Sequence, residues 1–207
     1  MIDFKSQVGQ DKWVVDFFAA KEGGYFLDVG AHNGVDLSNS YYLEKKLGWN
    51  GICIEADPDL FEVLKNNREC ICVNVAASDS NGKIKFLKDG FSGRAEENPR
   101  SIEIESKSLA EILEENNSPK VIDYLSLDIE GMELQVLSKF PFDEYEIILI
   151  TVEHNVYMRN QIVQKNKQGI YDILTSNGYE IHSENVQSQG LAFEDWYINK
   201  KYLPNKF

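Results

Sequence analysis

Short apolar runs alternate with segments of helical periodicity along most of this 207-residue chain. Five of these runs predict buried strands, at residues 25–29, 51–55, 70–76, 121–129 and 145–153. The last of them, YEIILITVE, is a long continuous apolar run, which is typical of a central strand covered on both faces.

Amphipathic helices are predicted before and between these strands. Trp13, Val14, Phe17 and Phe18 recur at helical spacing and indicate an opening helix. A second helix is predicted to begin at Ser38 or Ser40 and to end at Gly48. Later helices are predicted to begin at Pro58 and at Ser108, and another to span residues 160–176 and end at Asn177-Gly178.

Two regions depart from this alternation. Residues 79–107 alternate polar with apolar positions, which predicts a local antiparallel excursion, and YEIHSE with AFEDWYIN predicts a terminal hairpin. The expected fold is therefore α/β: a doubly wound, mostly parallel seven-stranded sheet with a C-terminal antiparallel hairpin. We expect a single domain over residues 1–207, with an N-terminal helical extension at 1–23 and a catalytic core at 24–207.

Composition narrows the range of partners and locations. The formal net charge of −13 disfavours a nucleic-acid partner, because a polyanion would be repelled by the average surface. Cys53, Cys70 and Cys72 lie in apolar runs without zinc-like spacing, so reduced core cysteines are expected. Without a signal-peptide pattern or an apolar run of membrane-spanning length, the expected location is the cytoplasm.

The first strand is followed by a glycine-rich turn that carries an acidic residue. Asp28, Gly30, His32, Asn33 and Gly34 lie where parallel strands place their ligands. Neither GxGxxG nor GxxxxGK is present, and a carboxylate suits a cationic or zwitterionic ligand better than a pyrophosphate. The alternative is a tight turn that the Asp side chain caps.

The next two strand ends offer groups for a sugar and a base. Glu55 follows the glycines by roughly twenty residues, where α/β nucleotide folds place a carboxylate on ribose hydroxyls. Small residues at Ala76-Ala77-Ser78 could lie against a flat base, although an ordinary turn is the alternative. S-adenosylmethionine (SAM) has an amino group, a ribose and a purine, so it fits all three strand ends.

The fourth and fifth strands end in polar residues suited to catalysis. Asp128 and Glu130 flank Ile129, and Glu153, His154 and Asn155 end the most apolar strand. His154 is a candidate general base. Asp128 with Glu153, His154 or Asn155 could instead bind a hard divalent cation. The alternatives are helix capping by Asp128 and a structural His154.

The motifs FLDVGAHNG, GWNGICIEADPDLF, YLSLDIEGMELQVL, ITVEHN and DWYI together resemble the FkbM family of SAM-dependent methyltransferases, from about residue 24 to 198. The resemblance implies a Rossmann-like class I methyltransferase fold. It also implies a set of contacts to SAM: Asp28, Gly30, His32, Asn33 and Gly34 for the methionine part, Glu55 for the ribose, Ala56 and Asp57 for the adenine edge, Ala77 and Ser78 around the adenine, and Asp128 with Glu130 near the methyl group. His32 departs from the wider fold, which often has a small residue there.

The expected activity is O-methylation of a hydroxyl on a sugar, glycan or other natural product. In this hypothesis His154 takes the proton, while Asp128 or Glu153 orients the acceptor or a cation such as Mg²⁺. The alternative is a non-catalytic methyltransferase-like module that binds SAM, and a nucleotide-sugar or NAD-linked enzyme is disfavoured by the missing phosphate loop.

The acceptor is expected to be a small molecule or a glycan, with no nucleic-acid or membrane partner. Residues 89–104 and 156–170 are expected to contact it, with Arg94, Tyr157 and Arg159 as candidates. A homodimer is an oligomeric state that the sequence leaves open.

Overall fold

The computed structural model describes residues 3–203, and it contains a seven-stranded, mostly parallel sheet. In spatial order the strands are β10 (Tyr179–Ser188), β11 (Leu191–Asn199), β9 (Glu146–Glu153), β8 (Val121–Leu127), β1 (Tyr25–Val29), β2 (Asn50–Ile54) and β3 (Ile71–Val73). Only β11 runs antiparallel to its neighbours, β9 and β10. The predicted fold class is thus confirmed, while residues 1–2 and 204–207 of the predicted domain lie outside the described residues.

Helices cover both faces of the large sheet. They are α1 (Gln10–Phe17), α2 (Tyr41–Leu47), α3 (Pro58–Asn67), α4 (Leu109–Glu115), α5 (Glu133–Ser138) and α6 (Gln161–Ser176). Helices α1 to α3 pack their apolar residues with Phe26 and Cys53, whereas α4 to α6 pack with Leu27 and Ile52. Neighbouring residues of one strand thus point into different cores, as the alternation of strand side chains requires.

A second sheet forms from the region predicted as an antiparallel excursion. Its order is β4 (Ala76–Ala77), β7 (Ile102–Lys107), β5 (Gly82–Leu87) and β6 (Arg94–Ala95). The strand predicted at 70–76 is divided between the two sheets. The division falls at Asn74, whose side-chain amide donates to the backbone carbonyls of Glu55 (2.8 Å) and Ala56 (3.3 Å).

Side-chain caps fix the helix boundaries close to the predicted ones. Of the two serines proposed for α2, Ser40 occupies the N-cap position without a side-chain cap bond, and the Oγ of Ser38 accepts from the backbone N–H of Tyr41 at 3.1 Å. Gly48 ends that helix in the left-handed region, at φ 65°. Among residues 3–203, no helix combines the length and the apolar composition needed to cross a membrane.

The ends of the two central strands touch just beyond the sheet. Gly30 leaves β1 with φ 89°, and a Cβ built on it would lie 1.8 Å from the backbone oxygen of Asp128. Only glycine fits, both for its backbone angle and for this contact. The contact brings the two loops that follow β1 and β8 together.

Replacing Gly30 by Ala tests this contact, and Gly23→Ala is a matched control. Gly23 also has a left-handed backbone (φ 70°), but nothing lies within 4 Å of the position that a Cβ would take there. We expect Gly23→Ala to lower the free energy of unfolding by about 1 kcal/mol, the cost of a left-handed alanine. Gly30→Ala should cost at least about 2 kcal/mol more, through overpacking against backbone.

Urea unfolding of the two variants and the parent measures this difference. Equal losses in the two variants would show that the loops can separate without cost.

Candidate functional site

A cavity of about 380 Å³ opens beyond the carboxyl ends of β1, β2, β8 and β9. Its size is typical of small-molecule sites, which range from about 300 to 1,000 Å³. Gly30, Ala56, Ala77, Asp128 and Glu153 are among the residues that line it. This is where open α/β sheets bind ligands, because the strand order reverses direction between β1 and β8.

Asp28 lines the cavity from the end of β1 and is only 4% exposed. Its carboxylate accepts a hydrogen bond from the Ser40 hydroxyl. Burial raises the pKa of Asp28, although the charge of Arg68 and the Ser40 bond act in the opposite direction. The hydrogen bond from Ser40 thus fixes the orientation of the Asp28 carboxylate, which lines the cavity.

Arg68 is the buried cation that organises this region. Its Nη2 donates to Ser40 Oγ (2.9 Å), its Nε donates to Glu44 (2.6 Å), and its Nη1 donates to the carbonyl of Gly34 (3.2 Å). One guanidinium therefore connects the loop after β1 to helix α2. Sequence reasoning missed Arg68, because the surrounding segment NNREC has the polar character of an exposed loop.

Glu55 ties the loop after β1 to the loop after β2. One carboxylate oxygen accepts from the backbone N–H of His32 (2.8 Å), and the other accepts from that of Asp57 (2.7 Å). Burial is the main cause that raises the pKa of Glu55 to about 7, and these hydrogen bonds oppose it. The backbone N–H of Ala56 also bonds to this carboxylate, and because a carboxylate has about four lone-pair positions, it can still accept from a ligand.

Three carboxylates converge on the β8 and β9 side of the cavity. Asp128, Glu130 and Glu153 each place an oxygen within 4.8 Å of the other two. Burial, followed by the charge of Asp128, raises the pKa of Glu130 to about 7 and that of Glu153 well above its ordinary value. Such a cluster can accept a proton or bind a cation.

The loop that carries Asp128 and Glu130 is held by Glu133. The Glu133 carboxylate accepts from the backbone N–H groups of Ile129 (2.9 Å) and Gly131 (3.0 Å). Glu130 itself has a left-handed backbone, with φ 56°. This uncommon conformation for a residue with a side chain is stabilised by the Glu133 bonds on either side.

Other parts of the cavity lining come from the second sheet, the loop after β9 and the C-terminal hairpin. Ile84, Phe86 and Ala95 of the second sheet line the cavity, as do Tyr157 and Phe193. Gly90, Gly93 and Ala95 fall within 89–104 and Tyr157 within 156–170, the segments predicted to contact the acceptor. The contribution of β5 and of the hairpin was not predicted, although alternation in KIKFL places Ile84 and Phe86 on one strand face.

Four of the predicted cofactor residues support the site without lining the cavity. Asp57 caps α3 through the N–H of Asp59, and Asn33 accepts from the N–H groups of Val35 and Asp36. Gly34 packs near Leu64 and Arg68. Ser78 hydrogen-bonds through its backbone N–H to Lys107. The remaining predicted cofactor residues, Asp28, Gly30, His32, Glu55, Ala56, Ala77 and Asp128, do line it.

His154 is not brought together with the other candidate catalytic residues. Its side chain is 1% exposed and lies outside the cavity lining, with Nε2 3.2 Å from Asp195 Oδ1. Its Nδ1 accepts from the backbone N–H of Val156 at 3.1 Å. This placement corresponds to the structural alternative for His154, whereas Glu153 and Asn155 on either side line the cavity.

Comparison with known families identifies one match. The family model for the methyltransferase FkbM domain matches residues 28–181, which is more than half of the chain. The matched range includes the strand ends that border the cavity. No curated protein matches the chain at a significant level.

Several solved structures of low sequence identity share this fold, and methyltransferases are among them. The O-methyltransferase from Bacillus cereus in complex with SAH is 13% identical, with a TM-score of 0.59 over 96% of this chain and 83% of that chain. A TehB-like SAM-dependent methyltransferase from Corynebacterium glutamicum is 13% identical, with a TM-score of 0.54 over 96% and 89%. Methyltransferase FkbM from Methylobacillus flagellatus is 15% identical, with a TM-score of 0.55; the match covers 86% of this chain and 44% of that one.

Replacing Glu44 by Gln tests the buried ion pair with Arg68. Burial alone would raise the pKa of Glu44, but Arg68 and the hydrogen bonds from Lys45 and Glu69 lower it from 4.5 to about 2. At pH 7 the variant should lose about 3 kcal/mol of unfolding free energy, because a buried charge loses its partner. The loss should shrink as pH falls from about 4.5 towards 2, where protonation removes the same charge from the parent.

Chemical denaturation at several pH values measures this convergence. Glu62→Gln removes a charge from an exposed i,i+3 pair with Lys65 and should change stability little. Parallel pH curves for the parent and Glu44→Gln would contradict the proposed ion pair.

Proposed function

The chain belongs to the methyltransferase FkbM domain family, and we propose that it methylates a hydroxyl oxygen of a sugar, glycan or other natural product. The coarser function, SAM-dependent methyl transfer, follows from the family itself. One observation carries the finer proposal: groups suited to the cofactor and a carboxylate cluster suited to proton removal line the same cavity.

The residues at the ends of the first three strands fit SAM. Asp28 offers a carboxylate for the amino group, and Glu55 retains the capacity to accept from a ribose hydroxyl. Ala76 and Ala77 are buried and small, which leaves an apolar wall beside the cavity for the purine. Asp57, Asn33, Gly34 and Ser78 are proposed to act through the loops that they hold.

The carboxylate cluster is proposed to receive the acceptor proton. Bound SAM supplies a methyl carbon whose bond to sulfur breaks, with the electron pair kept by sulfur, as the acceptor oxygen bonds to that carbon. Glu153 or Asp128 takes the hydroxyl proton as this oxygen reacts. Burial raises the pKa of Glu153, which makes its carboxylate a stronger base than that of an exposed Glu.

Other parts of the sequence hypothesis stay predictions. These are a divalent cation such as Mg²⁺ at Asp128 and Glu153, a cytoplasmic location, a homodimer, and an acceptor that is neither nucleic acid nor membrane. The O-methyltransferase from Bacillus cereus with the same fold supports the choice of oxygen as the methylated atom.

Cofactor binding can be tested without knowledge of the acceptor. We expect Asp28→Asn and Glu55→Gln each to weaken SAH binding by about tenfold or more, since each removes a charged hydrogen-bond partner worth roughly 1.5 kcal/mol. Isothermal titration with SAH measures the change, and the exposed Glu62→Gln is the charge-matched control. Parent-like affinity in both variants would place the cofactor elsewhere.

Turnover separates the proton acceptor from the structural histidine. With labelled SAM and a panel of glycans and natural products, Glu153→Gln should lower kcat by about 100-fold or more while SAH still binds. His154→Gln should lower the melting temperature but keep most of kcat, because its side chain lies outside the cavity.

A large loss of kcat in a folded His154→Gln variant would restore the histidine to the mechanism. SAH binding without transfer to any acceptor would instead favour the alternative, a non-catalytic SAM-binding module.

A further inference from the structure

The carboxylate cluster is formed by two separate backbone segments. Asp128 and Glu130 lie on the loop after β8, and Glu153 is the last residue of β9. Asn155 has a left-handed backbone (φ 50°) and donates from Nδ2 to Glu130 Oε2 at 3.3 Å. Glu130 also has a left-handed backbone, so two strained residues are connected beside the cluster.

The cluster lacks a compensating basic side chain in the cavity. Within the described part of the chain, the cavity lining includes no Lys or Arg. The charge of Arg94 reaches Glu130, but this guanidinium forms ion pairs with Glu96 (2.6 Å) and Asp89 (3.5 Å). Three acidic groups within 4.8 Å thus repel each other with little relief from the protein.

One oxygen of Glu153 is a second, independent indication of ligand binding at the cluster. Glu153 is only 7% exposed, it lines the cavity, and its Oε2 has no hydrogen-bond partner among residues 3–203. A buried polar atom without a partner is costly and rare in folded proteins. An atom bound in the cavity, next to all three carboxylates, would satisfy this oxygen.

We propose that Asp128, Glu130 and Glu153 bind one hard divalent cation, of the class of Mg²⁺, Mn²⁺ and Ca²⁺. These ions prefer carboxylate oxygens as ligands. Oxygens on opposite sides of Ca²⁺ lie about 4.6–5.2 Å apart, and those around Mg²⁺ at most about 4.2 Å. Only one pair of the three oxygens can lie on opposite sides of an ion, so binding requires the side chains to move closer together, more for Mg²⁺ than for Ca²⁺.

The three carboxylates leave coordination positions open towards the cavity. Mg²⁺ and Mn²⁺ favour about six ligands, so water or an acceptor oxygen can complete the shell. A cation here would orient a hydroxyl beside the proposed proton acceptors. This role rests on the proposed methyl transfer, whereas the cation site itself rests on the carboxylates alone.

Titration of the full chain with Mn²⁺ after chelator treatment tests the site directly. Electron paramagnetic resonance counts free Mn²⁺, and we expect one bound ion per chain that excess Mg²⁺ or Ca²⁺ displaces. Glu153→Gln and Glu130→Gln should each weaken Mn²⁺ binding by tenfold or more. The control Glu62→Gln, on the exposed face of α3, should bind like the parent.

Thermal unfolding supplies a second measurement of cation binding, independent of electron paramagnetic resonance. Mn²⁺ should raise the melting temperature of the chelated parent, and Glu153→Gln should abolish that rise. Without metal, Glu153→Gln should melt no lower than the parent, because a neutral amide replaces a buried carboxyl whose ionised form is disfavoured beside Asp128 and Glu130. A purely structural Glu153 would instead make this variant less stable.

Failure of Mn²⁺ to bind the parent, or equal binding by Glu153→Gln, would overturn the proposal and leave a proton shared between Asp128 and Glu153. A parallel titration with SAH keeps the two proposals separate. SAH binding without Mn²⁺ binding would remove the cation and keep the methyltransferase site. Mn²⁺ binding without SAH binding would keep the cation site and remove the proposed methyltransferase site.

Discussion

The close approach of Gly30 to the backbone of Asp128 is the contact on which the site depends. Parallel strands β1 and β8 are neighbours, so their following loops must either separate at once or touch. A residue without a side chain lets them touch. Asp28, which precedes this contact, and Asp128, which forms it, then line the same cavity.

The chain keeps an unusual number of acidic groups inside this region. A single buried guanidinium, that of Arg68, holds the loop after β1, while backbone N–H groups bind Glu55 and Glu133. Amides bind these carboxylates without adding a positive charge that would compete with a cationic ligand. Acidic side chains and no Lys or Arg of the described residues therefore line the cavity, which suits the sulfonium and amino groups of SAM.

Much of the fold could be predicted because strand ends are visible in the sequence as apolar runs that stop at Asp, Glu or Gly. The end of β3 was predicted wrongly, since an Asn that bonds to the neighbouring loop has no distinctive pattern. The position of His154 was also unpredictable. Consecutive residues after a strand point to opposite sides, and the sequence does not say whether Glu153 or His154 faces the ligand.

The walls of the cavity belong to two separate sheets. The carboxylates stand on the large sheet, while Ile84, Phe86 and Ala95 come from the small one, which the chain forms as a continuous insertion between β3 and α4. Changes in β5 and β6 can thus reshape this wall of the cavity, whereas Ala76 and Ala77 of the same insertion are proposed to contact the purine and have to be kept. Relatives with the same donor could diverge in what they modify by varying this one segment, and an engineer seeking a new acceptor would begin there.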